Sequence, residues 1–197
     1  MIKRLFDLFV SATALLLLLP LFLVLALAVA LSSSGGAFFK QTRVGKNGHT
    51  FQLLKFRSMR VGSEAQGQIT VGGRDPRVTG VGQFLRKSKL DELPQLINVL
   101  VGDMSIVGPR PEVPKYVALY SPEQRRVLSV RPGITSLASI AYINENEVLG
   151  RSADPERTYV EEVMPAKLAL DLEYVGKAGV LFDLGIMART AARLFTS

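Results

Sequence analysis

Asp91 and Glu92 stand side by side in the run Arg86-Lys87-Ser88-Lys89-Leu90-Asp91-Glu92-Leu93-Pro94, two acids among fixed positive charges. That setting suits phosphate chemistry. Asp91 can attack phosphorus while Glu92 offers hard oxygen to a divalent cation, and Arg86, Lys87 and Lys89 screen an anionic substrate that would otherwise repel both carboxylates. A structural reading stands beside the chemical one: Asp91 is a good helix N-cap, and Pro94 suits a first helical turn.

Downstream, the run Gly108-Pro109-Arg110-Pro111-Glu112 sets Arg110 between two prolines. Proline on both sides restricts the backbone, so Arg110 gives up little freedom on binding, and a guanidinium pairs bidentately with phosphate oxygens. Together with Leu90-Asp91-Glu92-Leu93-Pro94-Gln95-Leu96 and the apolar stretch Ile97 to Val101, this block resembles the signature of the bacterial monotopic phosphoglycosyl transferases. Lys55-Phe56-Arg57-Ser58-Met59, Asp75-Pro76-Arg77-Val78-Thr79, Leu85-Arg86 and Arg131-Pro132-Gly133-Ile134-Thr135 are similar to motifs of that family in the same order. Ser136 departs from the pattern, because members often carry glycine there.

The resemblance implies transfer of a sugar-1-phosphate from a nucleotide diphosphate sugar, a UDP-sugar by family likeness, to polyprenyl phosphate. In that chemistry Asp91 is the nucleophile that forms an aspartyl-phosphosugar intermediate, and Glu92 ligates Mg2+. Arg110 and Arg86 hold phosphate oxygens, and Lys55 adds a further electrostatic contact. The implied setting is the cytoplasmic leaflet of the bacterial inner membrane, entered by a re-entrant helix. The rival reading is a non-catalytic, membrane-anchored protein that docks an anionic lipid or partner through the same residues.

The element that must fix depth in the bilayer lies at the start. From Phe9 to Leu31 no residue is charged, which makes about 35 Å of helix, formally enough to cross a bilayer. Pro20 divides that run into two arms of about 16 Å, each too short to span alone. Lys3 and Arg4 precede the run while Lys40, Arg43 and Lys46 follow it. Because positive flanks prefer the cytoplasm, a helix that breaks at Pro20 and returns to the same leaflet is favoured over a straight span. A secretory signal is a poorer fit, since its apolar region is only about 7–15 residues long. In the resembled family the break often falls at Ser-Pro. Here it is Leu19-Pro20, without the hydroxyl that could satisfy a freed carbonyl.

The remaining length suits one compact unit, so the expected organisation is a re-entrant membrane helix over 1–36 and a cytoplasmic catalytic domain over 37–197. The expected fold class is mostly α with a small β-hairpin (α+β), with amphipathic interfacial helices. Net charge +7 fits anionic lipid and phosphates. Nucleic acid is not an expected partner, because no binding motif appears and the basic residues are scattered. With no cysteine and one histidine, a structural zinc site is not expected.

Ala37 to Thr42 and Thr50 to Phe56 read as strands joined through Asn47-Gly48, a strong turn signal that leaves His49 on the hairpin surface. The hairpin carries Lys55 and Arg57 to its end, just before Val61 to Gly73, a glycine-rich stretch read either as a substrate-covering loop or as plain surface. Ser121-Pro122-Glu123-Gln124 and Asp154-Pro155-Glu156 read as helix starts, while Asp75 and Asp103 have turn settings. From Gly179 to Phe195, Val180, Leu184, Met187, Ala191 and Leu194 fall on one helical side, with core packing the expected role of that face and the lipid interface the alternative.

Overall fold

A computed structural model describes residues 1–67, 69 and 75–196. Its helices are α1 (Ile2–Ser32), α2 (Gly80–Lys87), α3 (Gln95–Val101), α4 (Pro114–Val117), α5 (Leu137–Ala141), α6 (Glu145–Gly150), α7 (Pro155–Thr158), α8 (Met164–Lys177) and α9 (Val180–Thr196). The strands are β1 (Phe38–Val44), β2 (Thr50–Phe56), β3 (Ser105–Val107) and β4 (Gly133–Thr135).

β1 and β2 form the expected antiparallel hairpin, in register from Phe38↔Phe56 to Val44↔Thr50. Asn47 at φ 57° and Gly48 at φ 79° make the turn, the left-handed backbone that asparagine and glycine tolerate best. His49 is exposed there. A second pair is parallel: β3 lies beside β4, with Ser105 opposite Gly133 and Val107 opposite Thr135. Two glycines permit this approach. A Cβ on Gly133 would lie 2.1 Å from the Gly108 nitrogen, and one on Gly108 would lie 2.4 Å from the Arg131 oxygen.

α1 is helical at every residue from Ile2 to Ser32, with Pro20 inside it. The expected break is therefore not an end of the helix. Proline removes one N–H donor from the ladder, which costs a hydrogen bond to the preceding turn without obliging the chain to leave the helix. Both arms pack on the same unit. Val10, Ala14 and Leu15 lie against the core of Val99, Met104, Ile106 and Tyr174. Phe22, Leu25, Ala26 and Val29 lie against Phe56 and Leu85, and the Phe22 ring sits 4.9 Å from that of Phe56. Burying Leu25, Val29 and Leu85 is worth about 1.5–3 kcal/mol each. The opposite face of α1 leaves Phe9, Leu16, Leu17, Leu23, Val24, Leu27 and Leu31 exposed.

The charged residues in the first two turns of α1 tie it to the rest of the fold. Arg4 donates to the Val99 and Leu100 carbonyls, at 2.6 and 2.9 Å, and so satisfies the end of α3. Asp7 is buried and accepts from the Ser105 hydroxyl at 2.9 Å and from the Ile106 N–H at 3.1 Å. Lys3 pairs with the buried carboxylate of Asp183 in α9 and donates to the Val107 carbonyl. Tyr174 donates to Asp183 at 2.8 Å. This network corrects the expected face of α9. Asp183 and Ile186 are buried, whereas Leu184 and Ala191 are exposed. The cation on Lys3 draws an acid inward, and hydrophobicity alone would not have placed one there. Leu194's side chain lies outside the described residues.

Both expected helix starts carry their caps. Ser121 and Gln124 bond reciprocally, each N–H to the other's side chain, although the segment they open is only a 3-10 turn over Gln124–Ser129. Asp154 accepts from Arg157 N–H, and α7 runs through a π turn over Tyr159–Val163 into α8. Asp75 takes its turn role by accepting from the Arg77 N–H and guanidinium. Of the stretch Val61 to Gly73, residues 61–67 and 69 are described. Arg77 gathers that part by donating to the Gly67 and Ile69 carbonyls, and the remaining residues lie outside the described ones.

Candidate active site

Lys55 comes from the end of β2, Arg86 from α2, Asp91 and Glu92 from a 3-10 turn over Leu90–Glu92, and Arg110 from the segment after β3. All five line one cavity of about 810 Å³. The N-cap reading of Asp91 does not hold, because α3 starts after Pro94 with no side-chain cap. Asp91 is instead buried in the cavity wall.

Two buried tethers set the spacing. Asn98 in α3 donates to the Gln52 carbonyl at 2.8 Å and accepts from the Leu54 N–H at 2.9 Å, which locks the helix after Glu92 onto the strand that bears Lys55. On the other side, Arg43 of β1 donates to the Pro111 carbonyl and to Glu112, both at 3.0 Å, and Tyr159 donates to the same Glu112 carboxylate. With Gly108 pinned against β4, the arginine clamp is held from both ends.

Glu92 is the hub. Its Oε1 accepts from Lys55 Nζ at 2.9 Å and from Arg110 at 2.6 Å, while among the described residues Oε2 receives only a 3.4 Å contact from Arg110. Burial pushes its carboxyl up, but Arg110 and Lys55 outweigh that and hold it well below the usual carboxylate range. Asp91 goes the other way. Burial raises it, and Lys55, Arg86 and Lys89 offset only part of the rise against the neighbouring Glu92 charge. Two adjacent carboxyls are thus driven apart, one firmly anionic and one more basic and so more nucleophilic when ionised.

Among the described residues no group of three or more His, Asp or Glu is arranged to hold a metal ion. The donor set still fits Mg2+, which keeps several waters and is commonly bound by one or two carboxylates plus substrate phosphates. Glu92 Oε2 retains the lone pairs for such a contact.

One residue was missed. Asp171 in α8 lines the cavity, is buried, and its Oδ1 accepts no hydrogen bond among the described residues. Burial pushes its carboxyl up to about 7, against the lowering effects of Lys167, the Ser136 hydroxyl and the Arg110 N–H. A signal existed: Met164, Leu168, Asp171 and Tyr174 share the buried face of α8, and an acid within an apolar stripe is informative. Because the native carboxyl is raised above its unfolded value of about 4, the stability it contributes is complete below that pH and is lost as pH rises through about 7. Asp171→Asn removes this dependence. Thermal unfolding should show the variant gaining on the wild type between pH 5 and pH 8, and a pH-independent difference would mean that Asp171 is already charged throughout.

The sequence model of the family described as bacterial sugar transferase matches residues 1–197. The chain is 39% identical over 203 residues to "Exopolysaccharide production protein PSS" of Rhizobium leguminosarum bv. phaseoli, covering 100% of this chain and 96% of that protein. It is 38% identical over 198 residues to "UDP-glucose:undecaprenyl-phosphate glucose-1-phosphate transferase" of Caulobacter vibrioides, covering 99% of this chain and 70% of that one. A protein of the same description from Escherichia coli is 38% identical over 205 residues, covering 100% of this chain and 41% of the longer relative.

Proposed function

The chain belongs to the bacterial sugar transferase family and is a phosphoglycosyl transferase, and on that premise we propose that it moves a sugar-1-phosphate from a UDP-sugar to polyprenyl phosphate through Asp91. The observation that carries this reading is the convergence of Lys55, Arg86, Asp91, Glu92 and Arg110 on one cavity. An Asp91 carboxylate oxygen attacks the phosphorus that bears the sugar, the P–O–P bond breaks, and the nucleoside monophosphate leaves with the bonding electrons. An oxygen of the acceptor phosphate then attacks the same phosphorus, the Asp91–phosphorus bond breaks, and the carboxylate is regenerated. Glu92 would hold Mg2+, which supplies charge neutralisation at the diphosphate. Arg110, released from Glu92 as phosphate arrives, offers its fork to the transferred phosphoryl oxygens, and Lys55 and Arg86 stabilise the charge that develops there.

The bilayer setting draws support from α1. A straight span would carry one arm away from the domain, yet both arms pack on it, and the face left over is apolar. Leu181 and Leu184 of α9 add exposed apolar surface. We read α1 as re-entrant in the cytoplasmic leaflet of the inner membrane, with Pro20 accommodated inside it.

Incubation with a panel of UDP-sugars, undecaprenyl phosphate and Mg2+ tests the reaction: released UMP supports it, and none from any sugar rejects it. Topology is tested with the cysteine-free chain carrying Ile2→Cys or Ser34→Cys, at an exposed and a neighbouring loop position of the two flanks. Both cysteines should resist an impermeant maleimide in spheroplasts and react after permeabilisation. Labelling of one end alone before permeabilisation would establish a straight span.

A further inference from the structure

Lys89 is held in the left-handed region, at φ 57° and ψ 13°, and it and Asn47 are the non-glycine residues with positive φ among those described. For asparagine that backbone is common. For lysine it costs about 1–2 kcal/mol. The position follows the end of α2, where glycine normally takes this conformation without strain. Strain kept where glycine would remove it points to a use for the side chain.

Its surroundings indicate what that use is. The residue after Lys89, Leu90, packs against the cluster of Leu25, Val29, Phe56 and Leu85, whose first two members belong to the apolar helix α1. The next one, Asp91, faces the cavity. Lys89 therefore stands at the corner where the apolar helix meets the reaction site. It is exposed, it lines the cavity mouth, and it forms no ion pair among the described residues, whereas Lys55 and Arg110 are both engaged by Glu92.

Building on the transferase reading above, we propose that Lys89 is the docking contact for the phosphate of the membrane-borne acceptor, held by its left-handed backbone at the lipid edge of the cavity. An ammonium there meets a phosphate monoester that arrives along the apolar surface, and it partly neutralises that phosphate beside Asp91. The donor diphosphate is served by Arg110 and Lys55, the two cations gathered on Glu92.

The test compares Lys89→Gly, which relieves the backbone, Lys89→Asn, which tolerates it without charge, and Lys89→Arg, each as the full chain in detergent. The KM for undecaprenyl phosphate should rise about tenfold in the Gly and Asn variants, as loss of one charge-assisted contact implies. It should also become less sensitive to salt. Lys89→Arg should restore most of the affinity. The KM for the UDP-sugar should move less than about twofold, and thermal stability of Lys89→Gly should equal or exceed that of the wild type. A purely structural lysine at a helix end predicts lower stability and an unchanged acceptor KM. An acceptor KM that stays put in both neutral variants overturns the proposal, as does a rise confined to the donor KM. If the wild type releases no UMP from any donor, the transferase reading falls with it; if the wild type is active and the variants match it, only the role of Lys89 falls.

Discussion

Asp91→Asn is expected to lower turnover by about 10⁴-fold or more, since it removes the attacking oxygen while keeping the side chain's size. The same variant should take up no radioactivity from a donor labelled in its sugar-linked phosphate, whereas wild type without acceptor should retain label through acid quenching. Label retained on the asparagine variant would transfer the nucleophile's role to another residue. Asp171 is the next carboxyl in the cavity and therefore the next to test. The variant should fold, because replacing a buried carboxyl that burial already pushes toward neutrality removes a desolvation cost.

Glu92→Gln should do damage of a different kind, to activity and stability together. It leaves Lys55 and Arg110 without the carboxylate that holds both. Leaving these partly exposed cations unpaired costs less than the about 3–5 kcal/mol of a fully buried pair, and loss of the electrostatic hub should cut turnover by about 10²–10³-fold. Thermal unfolding and an Mg2+ titration measure the two effects. In the wild type, Arg110 and Lys55 keep the Glu92 carboxyl depressed against its burial. Its stabilisation is therefore present above the ordinary carboxylate range and lost only as pH falls through the lowered value. The glutamine variant should lack that acid-side loss. An unchanged melting temperature, or an unchanged Mg2+ curve at reduced turnover, would remove Glu92 from the hub or from the metal respectively.

The candidate site was legible because most of its residues lie close together in sequence. Asp91, Glu92 and Arg110 lie within one short block whose prolines and charges admit few readings, and the hairpin that brings Lys55 is announced by Asn47-Gly48. The β3–β4 pair was not legible. Each strand has three residues, largely buried and without a clear alternation, and a parallel pairing is set by what lies between the strands, not by the strands themselves. The face of α9 is misjudged from sequence for a related reason: its buried side is decided by Lys3, at the other end of the chain. In sequence, a positive charge beside an apolar run reads as a topological marker, whereas the contacts of Lys3 with Asp183 and of Arg4 with the end of α3 exist only in three dimensions. Asp171 escaped since nothing adjacent to it resembles a site.

That bond between Lys3 and Asp183 has a consequence for making the protein at all. Lys3 in α1 supplies the cation for the buried acid of α9, and Asp7 supplies an acceptor for β3, which leads to Arg110. α1 and α9 thus act as a clasp. Removing α1 to obtain a tractable water-soluble enzyme would strand Asp183 and the Ile106 amide in the interior, so the segment that carries Arg110 would lose the support on which its position rests.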